Sequence, residues 1–105
     1  MRYDVILRAK ARDEAVEAAR YIAEHASLEA ALRWYEGFED TVGALSTMPA
    51  RFSLARENGA VAGCELRQVI FKSHRVIFTI CARQVHILHI RHVARAVLEG
   101  GDLEL

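Results

Sequence analysis

Between Cys64 and His92 the hydrophobic pattern takes a strand-like period and is interrupted only twice, at Lys72-Ser73 and near Arg83-Gln84. Three runs rich in Val, Ile and Phe result, about Cys64 to Phe71, His74 to Cys81 and Val85 to His92. Parallel neighbours need a crossover of a dozen residues or more, so runs joined by such short breaks must be consecutive antiparallel strands. The rest of the chain has to pack on that β-meander.

What precedes it is helical. Tyr3 to Leu7 is a short β-type run, after which Ala11, Ala15, Ala18, Ala19, Ile22 and Ala26 recur at three- and four-residue steps. This predicts an amphipathic helix over about Ala9 to His25 with a small-residue face. Ser27 is a good N-cap for a second helix, whose apolar stripe is Ala31, Tyr35, Phe38, Val42 and Leu45, flanked by Trp34 and ended by Met48-Pro49. Gly37 inside it costs about 1 kcal/mol relative to Ala, and close approach to the Ala face of the first helix would supply the reason. The aromatic group Trp34, Tyr35 and Phe38 reads as core, not as a cofactor box. The expected architecture is α+β in the order β-α-α-β-β-β, a single domain over residues 1–105, with the helix hairpin packed on the meander. Residues 49–64, with Pro49, Gly59 and Gly63, form a long connection of the kind that is often functional or a partner-facing flap.

Charge is balanced overall at 14 basic and 14 acidic side chains, so composition gives no sign of nucleic-acid binding. Its distribution is uneven. Residues 51–95 carry eight Lys and Arg against two acids, while both flanking segments are acidic. Val5-Ile6-Leu7 is too short for a signal sequence or a membrane span, which points to a cytoplasmic protein. Cys64 and Cys81 are too few for a disulfide framework and lack zinc-like spacing, so a reduced pair is expected.

A two-residue turn at Lys72-Ser73 sets Phe71 opposite His74, Arg67 opposite Phe78 and Cys64 opposite Cys81. Val69, Phe71, Val76, Phe78 and Ile80 then face the helices, while Arg75 points the other way, beside Lys72. The last strand changes parity between Ile87 and Leu88, a sign of a bulge or of burial on both faces. Arg75 faces His92 or Arg91 depending on the turn, with Arg95 just beyond the strand end. Such a group of cations calls for an anion from a substrate, a partner or the acidic tail of Glu99, Asp102 and Glu104. His86, His89 and His92 tempt a metal reading, but alternation puts His89 opposite the other two, and His86 and His92 lie roughly 20 Å apart along a strand. No metal and no cofactor is therefore expected, and His86 and His89 read as satisfied strand residues.

The order of elements, with Tyr21-Ile22-Ala23, Met48-Pro49, Leu66-Arg67, His74-Arg75-Val76-Ile77-Phe78 and the ending Val85-x-Ile87-Leu88-x-Ile90-x-His92-x-Ala94-Arg95, resembles the ParE/RelE superfamily of bacterial type II toxins, also called plasmid-stabilisation proteins. The resemblance spans about residues 3–97. It implies a toxin neutralised by a cognate antitoxin whose C-terminal segment wraps it. ParE-like members poison DNA gyrase; RelE-like members cleave mRNA on the ribosome. In the ribonuclease reading, Arg75 and Arg95 match phosphate-binding arginines, His92 is the acid or base, and Glu57 stands in for a carboxylate base. RelE-type lysines, however, would fall near Leu66 and Gln68, and no Tyr follows Tyr35. The His-x-Ala-Arg ending and long hairpin favour the ParE branch, although Val93 stands where that branch usually has Gly. On that reading Lys72, Arg75, Arg91, His92 and Arg95 contact target or antitoxin without catalysis.

Overall fold

The computed structural model describes residues 2–103. Its order is β1 (Asp4–Leu7), α1 (Ala9–His25), α2 (Leu28–Gly43), β2 (Arg67–Phe71), β3 (His74–Cys81) and β4 (Gln84–His92). The α+β meander architecture is the one expected. β1 adds a parallel edge to give the sheet order β1-β4-β3-β2, a placement that no local pattern announces.

α1 has no side-chain N-cap and no acid in its first turn, so packing rather than capping holds it. Ala11 and Ala15 are fully buried and let the helix lie close to the sheet. α2 is capped as expected, with Ser27 Oγ accepting from the Ala30 amide at 3.0 Å. It ends at Gly43, earlier than Met48-Pro49 suggests, and the chain continues through 3-10 turns at Ala44–Ser46 and Pro49–Arg51. Between these turns Met48 is left-handed at φ 48°. Trp34, Phe38, Leu45, Val76, Phe78, Val85, Ile87 and Ile90 form the core between hairpin and sheet.

Gly37 serves a different contact from the expected one. A Cβ there would meet the Phe71 ring of β2 at 3.0 and 3.1 Å, so the glycine admits an aromatic from the sheet rather than α1.

The second face of the sheet is covered. The connection after Pro49 folds back on it, with Ala55 and Leu66 packing against Ile77, Leu88 and Leu98 in a second, smaller core. It is therefore a wall of the domain, not a flap. Ser53 O accepts from the Gln68 amide at 3.0 Å and Ala55 N donates to Leu66 O at 2.8 Å, which occupies part of the β2 edge. β2 starts at Arg67, so Cys64 lies in the loop beside Thr79 Oγ1 at 3.6 Å instead of pairing with Cys81. Both thiols are free.

The β2–β3 register is the expected one, with Phe71 opposite His74 and Arg67 opposite Phe78. The β3–β4 turn is Ala82-Arg83, one residue earlier than expected, and Ala82 is left-handed at φ 55°. The register then shifts between Ile77 and Phe78, where β4 carries Leu88 as an extra residue. That bulge delivers Arg91 opposite Arg75 and His92 opposite His74. It also changes the histidine parity. His86 and His89 pair with Thr79 and Ile77 on the face away from the helices, and His92 with His74 on the helix side, so His89 is not opposite to both.

Gly37→Val should lower unfolding free energy by about 1–3 kcal/mol through overpacking on Phe71. Gly43→Ala, where nothing lies within 4 Å of the new Cβ, should raise it by about 0.4–1 kcal/mol. Urea denaturation of the two variants checks the contrast.

Candidate functional site

The meander brings Lys72, Arg75 and Arg91, with Arg95 just beyond, to one end of the sheet but divides them between two environments. Arg75 is 0% exposed. Its guanidinium grips Glu57, with Nη1 donating to Oε1 at 2.7 Å and Nη2 to Oε2 at 2.8 Å, and Nη1 also donates to Gln68 Oε1 at 3.0 Å. Nε is buried without a partner among the described residues. Glu57 Oε2 further accepts from the Leu98 amide at 3.0 Å. Burial alone would push the Glu57 carboxyl up; the hydrogen bonds from Arg75 and Leu98 and the Arg75 charge outweigh it and hold it at about 2. Arg75 does point away from the helices, as its register requires, yet it is sealed under the loop and braces Glu57 rather than the acidic tail. Glu99 and Asp102 instead cap each other's backbone in the last turn, and Glu104 lies outside the described residues.

Arg91, directly across from Arg75, would repel it if both pointed outward. It turns instead to the C-terminal segment, Nε donating to Ala96 O at 2.7 Å.

The accessible group lies on the helix side of the same sheet end. The His74 ring stands edge-on to Trp34 and to His92, both with ring centres 5.4 Å apart. Burial and then the neighbouring His92 push the His74 pKa down, and its Nδ1 is buried without a hydrogen-bond partner among the described residues. His92 Nδ1 accepts from the Ala94 amide at 3.0 Å, so the proton of its neutral ring sits on Nε2. His92, Lys72 and Arg95 are exposed. The turn through Val93 is closed by Val93 N to Ser73 O at 2.9 Å and Arg95 N to His92 O at 3.0 Å. Val93 is not among the positive-φ residues, so this turn needs no glycine.

A depression along α1 is lined by His92, Arg91 and Arg95 on one side and by Asp13, Glu14 and Glu17 on the other. Glu14 has a structural duty there. Its Oε1 accepts from the Ile90 amide at 3.0 Å and lies 3.2 Å from His89 Nδ1, covering the edge of β4 where β1 has ended. His89 is thus a buried, partnered strand residue, whereas His86 is only half satisfied: its Nε2 meets Gln84 Oε1 at 3.1 Å and its Nδ1 is buried without a partner among the described residues. Among the described residues no three His, Cys, Asp or Glu side chains are grouped to hold a metal ion. No helix among them is long and apolar enough to cross a membrane.

Of the residues expected to act together, Lys72, His92 and Arg95 share one surface, Arg91 lies at its margin, and Arg75 is withdrawn from it. Sequence reasoning missed His74 and Trp34 as members and Glu14 as a brace. Strand pairing, had the bulge been located, would have found His74; nothing local signals Glu14.

Comparison with known proteins accords with this architecture. A family model for the ParE toxin of type II toxin-antitoxin systems, parDE, matches residues 5–97. The chain belongs to the ParE toxin family. A solved chain from the chromosomal ParDE TA system of P. aeruginosa is similar with TM-score 0.73 at 17% identity, covering 87% of this chain and 96% of that one. At that identity it supports the ParE fold alone. No curated protein matches the sequence.

Removing either partner of the Arg75–Glu57 pair strands a buried charge. Glu57→Ala or Arg75→Ala should each cost about 3–5 kcal/mol, and the double variant Arg75→Met with Glu57→Leu should recover most of it in thermal unfolding.

Acid should erode stability in two windows. His74, lowered in the fold, stabilises above its ordinary 6.5 and loses that contribution as pH falls through its folded value. Glu57 contributes about 3 kcal/mol above its ordinary 4.5, lost on approach to about 2. Urea titrations across pH should find Glu57→Gln less stable than wild type at neutral pH, with the gap closing only in the lower window as the wild-type carboxylate is protonated.

Proposed function

We propose that this ParE-family protein is a cytoplasmic toxin that arrests growth by binding an essential target, such as DNA gyrase, and is neutralised by a cognate antitoxin. The observation that carries this reading is the withdrawal of Arg75 and Glu57. A ribonuclease must activate a ribose hydroxyl, stabilise a crowded phosphate and protonate the leaving oxygen. Here the carboxylate offered for the first task and one arginine offered for the second neutralise each other out of solvent. A carboxyl held at about 2 is also a poor base. What is left at the surface is His92 with Lys72 and Arg95, a set suited to gripping acidic groups on a partner.

The alternative is a ribosome-dependent mRNA endoribonuclease in which His92 is the acid or base and Arg95 holds the phosphate. A growth assay tests the toxin role that both readings share, and two target assays separate them. Induced alone, the chain should stop bacterial growth, and co-expression of the antitoxin from an adjacent reading frame should restore it. Purified protein should inhibit gyrase supercoiling, and Lys72→Glu with Arg95→Glu should weaken inhibition at least tenfold without lowering the melting temperature. Cleavage of mRNA on programmed ribosomes that is lost in His92→Ala would instead establish the nuclease.

A further inference from the structure

Between the C-terminal half of α1 and the β2–β3 turn lies a groove of about 580 Å³. Ala18 and Ile22 form one wall, and Trp34 with His74 form the floor. Its rim carries Lys72, His92 and Arg95, and none of its lining residues is an Asp or Glu. At the lip stands Tyr21, 62% exposed, its ring stacked on His25 with centres 4.0 Å apart. A large aromatic held ready beside an apolar cleft is the usual anchor of a protein contact.

Charge complementarity selects the occupant. Apolar walls under a cationic rim match a ligand that combines a bulky hydrocarbon group with a carboxylate. A nucleic acid strand is a poorer match, because it carries a charge at every phosphate. Past His92 the adjoining depression mixes Asp13, Glu14 and Glu17 with Lys10, Arg91 and Arg95, so it offers a phosphate backbone no continuous cationic track. A peptide can place its acids at one end only.

We propose that this groove docks an acidic peptide segment of a protein partner, which lays a large apolar side chain against Ile22 and Trp34 and sets a carboxylate between Lys72 and Arg95. The inference rests on the reading of this sheet end as a binding surface, and it names the chemistry bound there. Neighbouring segments of the same peptide would cross Tyr21.

The test uses the purified full chain, labelled with 15N, and a blocked hexapeptide with a Leu-Phe pair and with Asp and Glu at one end only. Saturable shifts are expected at the Ser73 and His74 amides and the Trp34 indole N–H. Replacing the acids by Asn and Gln, or the Leu-Phe pair by Gly-Ser, should weaken binding at least tenfold. So should Lys72→Gln with Arg95→Gln, or Tyr21→Ser, all at exposed positions. Four results would each overturn the proposal: no saturable shift, shifts mapping elsewhere, equal binding by the variants, or tighter binding of hexauridylate at the same residues. Concentration-dependent shifts without peptide would also do so, by giving the groove to a second copy. The growth assay is independent. Arrest with no peptide binding removes this inference alone, and selective peptide binding without arrest removes the toxin reading alone.

Discussion

The fork between Arg75 and Glu57 ties together three parts of the chain that have no other reason to meet. Arg75 comes from the middle of the sheet, Glu57 from the long connection, and the Leu98 amide from the C-terminal segment. Each ion alone would be costly to bury; together they satisfy most of one another's hydrogen-bonding capacity. Around them Ala55, Leu66, Ile77, Leu88 and Leu98 close a second core. A sheet with one solvated face thereby becomes a sheet buried on both.

The β-bulge at Leu88 is the second constraint. It lets one strand bury Ile87 and Ile90 against the helices and Leu88 against the loop, and it decides which cations stand together. With an unbroken register from the Ala82-Arg83 turn, Arg75 would face Ile90. The extra residue instead puts Arg91 across from Arg75 and His92 across from His74, with like charges relieved by turning to Glu57 and to Ala96 O. An apolar groove bounded by imidazoles and exposed cations is left on the helix side.

Much of the fold was legible because its signals are local. The bounds of α1, the Ser27 cap, the Lys72-Ser73 turn and the helix-facing set Val69, Phe71, Val76, Phe78 and Ile80 follow from periodicity and turn chemistry within a dozen residues. The end of α2 was less so, since the chain keeps turning through a 3-10 segment after Gly43. Gly37 was recognised as a close-approach glycine, but whether Phe71 or an alanine approaches it depends on how hairpin and sheet are docked.

Of the candidate site, the sequence by itself determined the basic surplus, its location on the meander and the spacing of Arg75, His92 and Arg95. Only the tertiary structure decided which of these meet solvent. Alternation along a strand states which face a side chain takes, but not what covers that face. The loop carrying Glu57 lies 18 residues from Arg75 in sequence, and Glu14 lies 76 from the amide it caps. Such contacts have no sequence period, because they form only after the two cores have brought the segments together.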